Sequence, residues 1–304
     1  MILLSGGTGT PKLIQGIRRA IPDEEITVIV NTAEDIMVSG NVVSPDLDTV
    51  LYLFSGALDV EKYWGIKNDT FHTHQALKKI GVSEILMIGD ADRATHVFRS
   101  ELMQKGASLT EATKQLSSRM GIKARVLPMC DEKVDTMIKT PEGLMHFQEF
   151  WIGRRGEPPV LDVRLTGVER AKPTREVIEA LNSEDNVIIG PSNPITSIGP
   201  ILALKGMRKI LSKKKVIAVS PIIGNSPVSG PAGKLMAARG FSISSPGVAE
   251  CYGDILDMLV IDDRDTVNEK EFDIQIARFD TIMDSVEKSE AFASFVIRLF
   301  RDVG

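Results

Sequence analysis

Short apolar runs of strand length alternate along the chain with stretches whose apolar residues recur at helical spacing. The runs are Ile2–Leu4, Ile26–Val30, Arg125–Leu127, Val187–Ile189, Val216–Val219 and Met258–Ile261. Such alternation is the signature of βαβ units and a parallel sheet. Most runs stop at small or polar residues: Asn31-Thr32, Gly190-Pro191-Ser192-Asn193 and Ser220-Pro221. A parallel sheet gathers these strand ends along one edge, where open α/β sheets bind ligands. Between about 45 and 121 the pattern changes to helices joined by short turns. Ser44 before Pro45 is an N-cap with proline at N1, and Leu47, Val50, Leu51 and Phe54 mark one face of the helix that follows. Further helices are predicted at Phe71–Ile80, Arg93–Lys105 and Thr110–Met120, the last opened by a Ser108/Glu111 capping box. Thr136–Thr140 and Leu144–Phe150, either side of Pro141-Glu142-Gly143, predict a β-hairpin. A C-terminal helix is predicted after Asp284, with Glu287 completing a capping box, to about Phe300. The fold class is therefore α/β: a mostly parallel sheet with a helical insertion and a β-hairpin.

The turn after the first run changes this picture from architecture to chemistry. Ser5-Gly6-Gly7-Thr8-Gly9-Thr10 joins the first strand to a helix opened by Pro11. A glycine-rich turn at a helix N-terminus presents N–H groups at the positive end of the helix dipole, which suits a phosphate. Two standard fingerprints fail here. G-x-G-x-x-G fails because Lys12 stands at the third glycine, and no glycine precedes a Lys-Ser or Lys-Thr pair. The failure disfavours a nicotinamide dehydrogenase, and the absence of G-x-S-x-G disfavours an α/β-hydrolase.

Composition narrows the partners. Of 304 residues, 43% are hydrophobic and 25% charged, as in ordinary globular enzymes, and the net charge of −5 disfavours nucleic acid or an anionic membrane surface. Two cysteines, Cys130 and Cys251, form neither a disulfide framework nor a metal motif and are expected as packing residues. No run approaches 18 apolar residues, so the expected location is the cytoplasm.

Three carboxylate groups follow strands or open helices: Glu34 and Asp35 after Asn31, Asp46 and Asp48 in the first inserted helix, and Asp90 and Asp92 before Arg93. Each alone reads equally as helix capping. Beside a phosphate loop they make chemical sense with a divalent cation between, since Mg²⁺ takes one or two carboxylates plus waters and phosphate oxygens. Gly190–Pro200, with Ser192 and Asn193, and the loop from Ser220 to Lys234 are candidate nucleotide-contacting turns or merely rigid connections. The four histidines match no metalloenzyme spacing, and satisfied structural roles are expected of His72, His74, His96 and His146.

Taken together, Ser5-Gly-Gly-Thr-Gly-Thr-Pro-Lys12, Asn31–Asp35, Ser44-Pro-Asp-Leu-Asp-Thr49, Gly89-Asp90-x-Asp92-Arg-Ala-Thr-His96, His146-Phe-Gln148, Pro191–Pro200 and Ser220–Gly224 resemble the 2-phospho-L-lactate transferase family, in order and spacing over almost the whole chain. The resemblance implies a single Rossmann-like domain over 1–304, usually as a homodimer. It implies transfer of phospholactate from lactyl-2-diphospho-5′-guanosine to 7,8-didemethyl-8-hydroxy-5-deazariboflavin (FO), with Mg²⁺ and release of GMP, late in coenzyme F-420 synthesis. On that basis Gly6, Gly7, Thr8, Gly9, Thr10, Lys12, Ser192, Asn193 and Ser220 would bind the nucleotide, Gly6 to Thr10 holding its phosphates and Asn193 and the loop after Ser220 contacting the guanosine side. Asp48 would contact FO or the metal, with Asp35 and Asp46 as further candidate ligands. Family members often place lysine or arginine against FO where this chain has Met87. Arg93 or Lys12, or stacking on Trp64, would then take that part. A second expectation, from another class, is a nucleotide-sensing binding protein without transferase activity.

Overall fold

The computed structural model describes residues 1–301. Strand β1 (Ile2–Ser5) turns into helix α1 (Gly9–Ala20), and β2 (Thr27–Val30) follows. A small hairpin, β3 (Ile36–Val38) and β4 (Asn41–Val43), leads into four helices: α2 (Pro45–Ser55), α3 (His72–Lys79), α4 (Asp90–Gln104) and α5 (Leu109–Arg119). After β5 (Arg125–Pro128) comes an antiparallel sheet of β6 (Asp135–Thr140), β7 (Gly143–His146) and β8 (Asp162–Thr166). The chain continues through α6 (Arg175–Ser183), β9 (Asn186–Ile189), α7 (Gly199–Ala203), α8 (Met207–Leu211) and β10 (Lys215–Val219). Then follow the short pair β11 (Ile222–Ile223) and β12 (Ser226–Pro227), α9 (Ala232–Ala238), α10 (Ser245–Tyr252), β13 (Met258–Asp262), β14 (Gln275–Phe279) and α11 (Val286–Leu299).

Seven of these strands form one parallel sheet in the order β14-β13-β10-β9-β1-β2-β5. Its inner strands are buried on both faces, which is why they read as unbroken apolar runs. Alternate residues feed two cores. Ile2, Leu4, Val187 and Ile189 go to one face, Leu3, Val28, Val30 and Ile188 to the other. Each such fully buried aliphatic side chain contributes roughly 1.5–3 kcal/mol. Helices α1 and α11 close the Leu3 face, Leu13, Ile14 and Ile17 packing with Phe292, Ala293 and Val296. Gly16 lets these helices meet, because a Cβ there would strike the carbonyl of Ser289.

The strand order decides where a ligand goes. From central β1 the chain first builds outward through β2 and β5, then returns to the other side of β1 as β9 and builds outward through β10, β13 and β14. The winding direction therefore reverses between β1 and β9, and such a switch point opens a crevice at the carboxyl ends of the strands. The glycine turn follows β1 and the Gly190–Asn193 turn follows β9, so both flank that crevice.

Six sheet strands, the inserted helices, the Ser108/Glu111 capping box and the β6–β7 hairpin lie where the sequence pattern predicts. Four features differ. Strand β14 escapes the pattern because, as an edge strand, it is only half buried. The strand predicted to Phe150 stops at His146, and Glu149–Gly153 closes into a wide helical turn. Helix α4 starts at Asp90, three residues early, capped at Gly89. Helix α11 is capped by Ser285, whose Oγ accepts the Lys288 N–H at 3.2 Å, and not by an Asp284/Glu287 box. Cys130 and Cys251 are both free thiols, and among the described residues no helix is long and apolar enough to cross a membrane.

Candidate active site

A cleft of about 720 Å³ opens over the switch point, floored by the strand ends and walled by the insertion, the β7–β8 connection and the loop after β10. Its phosphate-sized end is built from small residues packed backbone to backbone. A Cβ on Gly9 would strike the Pro191 carbonyl, and one on Gly6 would lie 2.7 Å from the Ser197 Cβ. Gly7 sits at φ +58°, open to glycine at little strain. Across the switch point Thr10 Oγ1 and Ser192 Oγ are 2.6 Å apart, and Ser192 Oγ also donates to the Gly6 carbonyl. Gly6 and Thr10 thus shape the turn from behind, while Gly7, Thr8, Gly9, Lys12, Ser192, Asn193 and Ser220 line the cleft. The Gly7 N–H is already committed, donating to Asp46 Oδ1 at 2.7 Å. Asn193 Oδ1 accepts the N–H groups of Ile195 (3.0 Å) and Thr196 (3.4 Å), which fixes its amide and leaves Nδ2 buried without a partner among the described residues. Ser220 is held by Ser245 (2.9 Å), which donates to Asp265 at 2.7 Å.

The other end is a buried ionic network on α2 and α4. Arg99, fully buried, donates to both oxygens of Asp48, Nη1 at 3.1 Å and Nη2 closer still. His96 lies between two carboxylates, Nδ1 3.4 Å from Asp48 Oδ2 and Nε2 3.1 Å from Asp92 Oδ1. Tyr52 donates its hydroxyl to Asp92 at 2.6 Å. Burial opposes ionisation of Asp92, yet the His96 and Tyr52 contacts hold its carboxyl below the usual range. Trp64, Leu86, Met87, Ile88, Trp151 and Ile152 also line the cleft and supply its large apolar surface, with Met87 half exposed.

Between the ends stand carboxylates with no cation. Asp46 accepts Asn31 Nδ2 at 2.9 Å besides the Gly7 N–H, and burial pushes its carboxyl up to about 6. Glu34 is buried beside it; desolvation and the Asp46 charge raise its carboxyl well above the usual range, and its Oε1 has no partner among the described residues. Asp35 is buried behind the lining, accepting Ser44 Oγ at 2.6 Å, and burial raises it too. Among the described residues lining the cleft, five carboxylates (Glu34, Asp46, Asp48, Asp92, Asp284) face one lysine or arginine, Lys12. Lys12 Nζ lies 5.0 Å from the centre of the Tyr63 ring.

Several positions differ from expectation. Arg93 does not line the cleft: it forms a bidentate pair with Glu84, at 2.9 and 2.8 Å, and so is already neutralised. Asp90 caps α3 through the N–H groups of His72 and Thr73, both at 2.9 Å. Of the expected metal trio, Asp46 and Asp48 line the cleft and Asp35 lies behind it, near enough that, besides burial, both their charges raise its carboxyl; a further tight trio of possible ligand atoms is Asp48, Asp92 and His96. His96 is therefore a site residue rather than a remote structural one. Arg99 was not among the expected site residues, although Asp92, His96 and Arg99 share one helix face at i, i+4 and i+3 spacings that the sequence displays.

Comparison with known proteins agrees with this geometry. The family model described as 2-phospho-L-lactate transferase CofD matches residues 1–292. A 2-phospho-L-lactate transferase of Methanosarcina mazei is 58% identical over 303 residues, 99% of this chain and 100% of that protein. One from Methanocaldococcus jannaschii is 46% identical over 299 residues, 97% of this chain and 96% of that protein. A crystal structure of a Bacillus halodurans protein of the upf0052 family shares the fold, with a TM-score of 0.68 at 15% identity, covering 97% of this chain and 98% of that one. The chain belongs to the 2-phospho-L-lactate transferase CofD family.

Proposed function

We propose that this chain transfers the 2-phospholactyl group from lactyl-2-diphospho-5′-guanosine to a ribityl hydroxyl of FO and releases GMP, a step of coenzyme F-420 synthesis. One observation carries the reading: a single cleft joins a helix-N-terminal anion cradle at a topological switch point to an apolar, aromatic wall across a row of buried carboxylates. Phosphoryl transfer depends mostly on positioning and charge neutralisation. Thr8 and Gly9 at the start of α1, Lys12 and the unpartnered Nδ2 of Asn193 are the groups that would hold the diphosphate. Asp48, locked by Arg99, would orient the attacking hydroxyl, and the wall around Met87 and the two tryptophans would hold the ring system.

The donor set suits a hard cation. Glu34 and Asp46 line the cleft with no cationic side chain against them, and none of the described residues donates to the buried Glu34 Oε1. Asp46 and Glu34, both oxygen donors without a cationic side chain, are better placed for Mg²⁺ than Asp48, which Arg99 already neutralises. Bound there, Mg²⁺ would screen the diphosphate and stabilise charge developing on the leaving phosphate. A cytoplasmic homodimer belongs to the same proposal, and light scattering on the purified chain tests the dimer.

Incubation with the guanosine donor, FO and Mg²⁺ is expected to give one GMP per phospholactyl deazaflavin formed. No GMP under these conditions would refute the proposal. The alternative of a nucleotide-sensing binder is not favoured by the named relatives, and nucleotide binding without FO binding in a calorimeter would revive it.

A further inference from the structure

Gln148, of the His146-Phe147-Gln148 motif, has no part in the reaction as described. It lies just after β7, before the wide turn Glu149–Gly153, and is 5% exposed, yet it lines the cleft. Its Nε2 donates to the Glu34 backbone carbonyl at 3.2 Å, and its own N–H donates to His146 Nδ1 at 3.2 Å. A carbonyl can only accept, so the Glu34 bond fixes which way the amide faces. None of the described residues donates to Oε1, and it is not among the fully buried polar atoms, so it stands open to the cleft that Gln148 lines, where a ligand N–H can reach it.

The surroundings say what kind of ligand. Phe147, Trp151 and Ile152, close to Gln148 in sequence, line the cleft with it, as do Met87 and Trp64, so the cleft offers apolar and aromatic surface to a flat ring system. Such a ring can satisfy Oε1 only through an N–H on its edge. Resting on the transferase reading above, we propose that Gln148 reads the acceptor: its Oε1 accepts the imide N–H of the flavin-like pyrimidinedione ring. The acceptor oxygen is complementary to an unalkylated imide, which makes Gln148 a specificity residue for the acceptor rather than for the guanosine donor.

The test compares FO with its analogue methylated at the imide nitrogen, in the wild type and in Gln148→Leu. In the wild type, methylation is expected to raise the acceptor KM by about tenfold, the scale of one lost neutral hydrogen bond, with the donor KM unchanged. Gln148→Leu is expected to raise the KM for FO by a similar factor of about ten and to abolish most of the difference between the two acceptors. A residue that merely supports the Glu34 backbone would leave the methylation penalty in place. Equal use of both acceptors by the wild type, or an undiminished penalty in Gln148→Leu, overturns the assignment. The wild-type arm stands whether or not the variant folds. Absence of any FO turnover by the wild type overturns the transferase reading, and this assignment with it.

Discussion

The two ends of the cleft are made by different means. The phosphate end is backbone: glycines that let β1 and β9 turns touch, a helix N-terminus, and short hydroxyls such as Thr10 and Ser192 that join across the switch point. The acceptor end is side chain: Arg99, Asp48, His96, Asp92 and Tyr52 interlocked between α2 and α4, facing an apolar wall. A phosphate needs N–H groups at fixed positions, which a sheet edge provides without specialised side chains. A hydroxyl that must be aimed at phosphorus needs a carboxylate held still, and a buried bidentate arginine does that. The shape of the first end follows from topology, whereas the second depends on which side chains an insertion happens to bring together.

Breaking the acceptor end should have the largest effect. Arg99→Met leaves Asp48 buried without its cation, and loss of one partner of a buried pair costs about 3–5 kcal/mol. Denaturant unfolding should show this loss, together with near-complete loss of turnover. Asp48→Asn keeps the shape and some hydrogen bonding, so turnover should fall much further than stability; near-normal turnover would remove Asp48 from the reaction.

At the phosphate end, Gly9→Ala drives a Cβ into the Pro191 carbonyl, an overpacking expected to cost about 1–3 kcal/mol and to weaken GDP binding. Gly16→Ala strikes the Ser289 carbonyl outside the cleft and serves as the contrast. It should lose similar stability by thermal melting while leaving GDP affinity unchanged. If both variants weaken GDP equally, the glycine turn has no special part in binding.

Between the two ends, Asp46 gives a pH signature. Its folded carboxyl titrates near 6, above the ordinary unfolded value near 3.8, so the native state binds its proton more tightly. The resulting stability is present below about pH 4 and is lost as pH rises through 6. Metal-free wild type should therefore lose stability from pH 4 to 7 relative to Asp46→Asn, and Mg²⁺ should shrink that difference by favouring the ionised form. The smallest effect is expected far from either end. Ser108→Ala removes the cap of α5 and should cost about 1 kcal/mol with no change in turnover.

Both the sheet and the phosphate turn were legible because their signals are local: apolar runs that end in Gly6-Gly7 or Gly190-Pro191, and Pro11 opening a helix. The acceptor end was legible only in part. Asp48 and the apolar position Met87 stand in motifs, but nothing in sequence shows that Arg93 is taken by Glu84 or that Arg99, six positions along, reaches Asp48. Such pairings depend on how α4 lies against α2, which is set by packing over fifty residues apart. His96 looked structural because a histidine read singly carries no sign of its neighbours. The half-buried edge strand β14 was lost for the related reason that an edge needs little hydrophobicity.

The central claim is that donor and acceptor occupy separate ends of one cleft at the same time. Both tryptophans of the chain, Trp64 and Trp151, line the cleft, so their fluorescence reports on its occupancy. Titration of FO in the presence of saturating GDP and Mg²⁺ should quench this fluorescence with an affinity within about twofold of that without GDP, as expected for sites that share no contacts. Displacement of FO by GDP in simple competition would contradict the account.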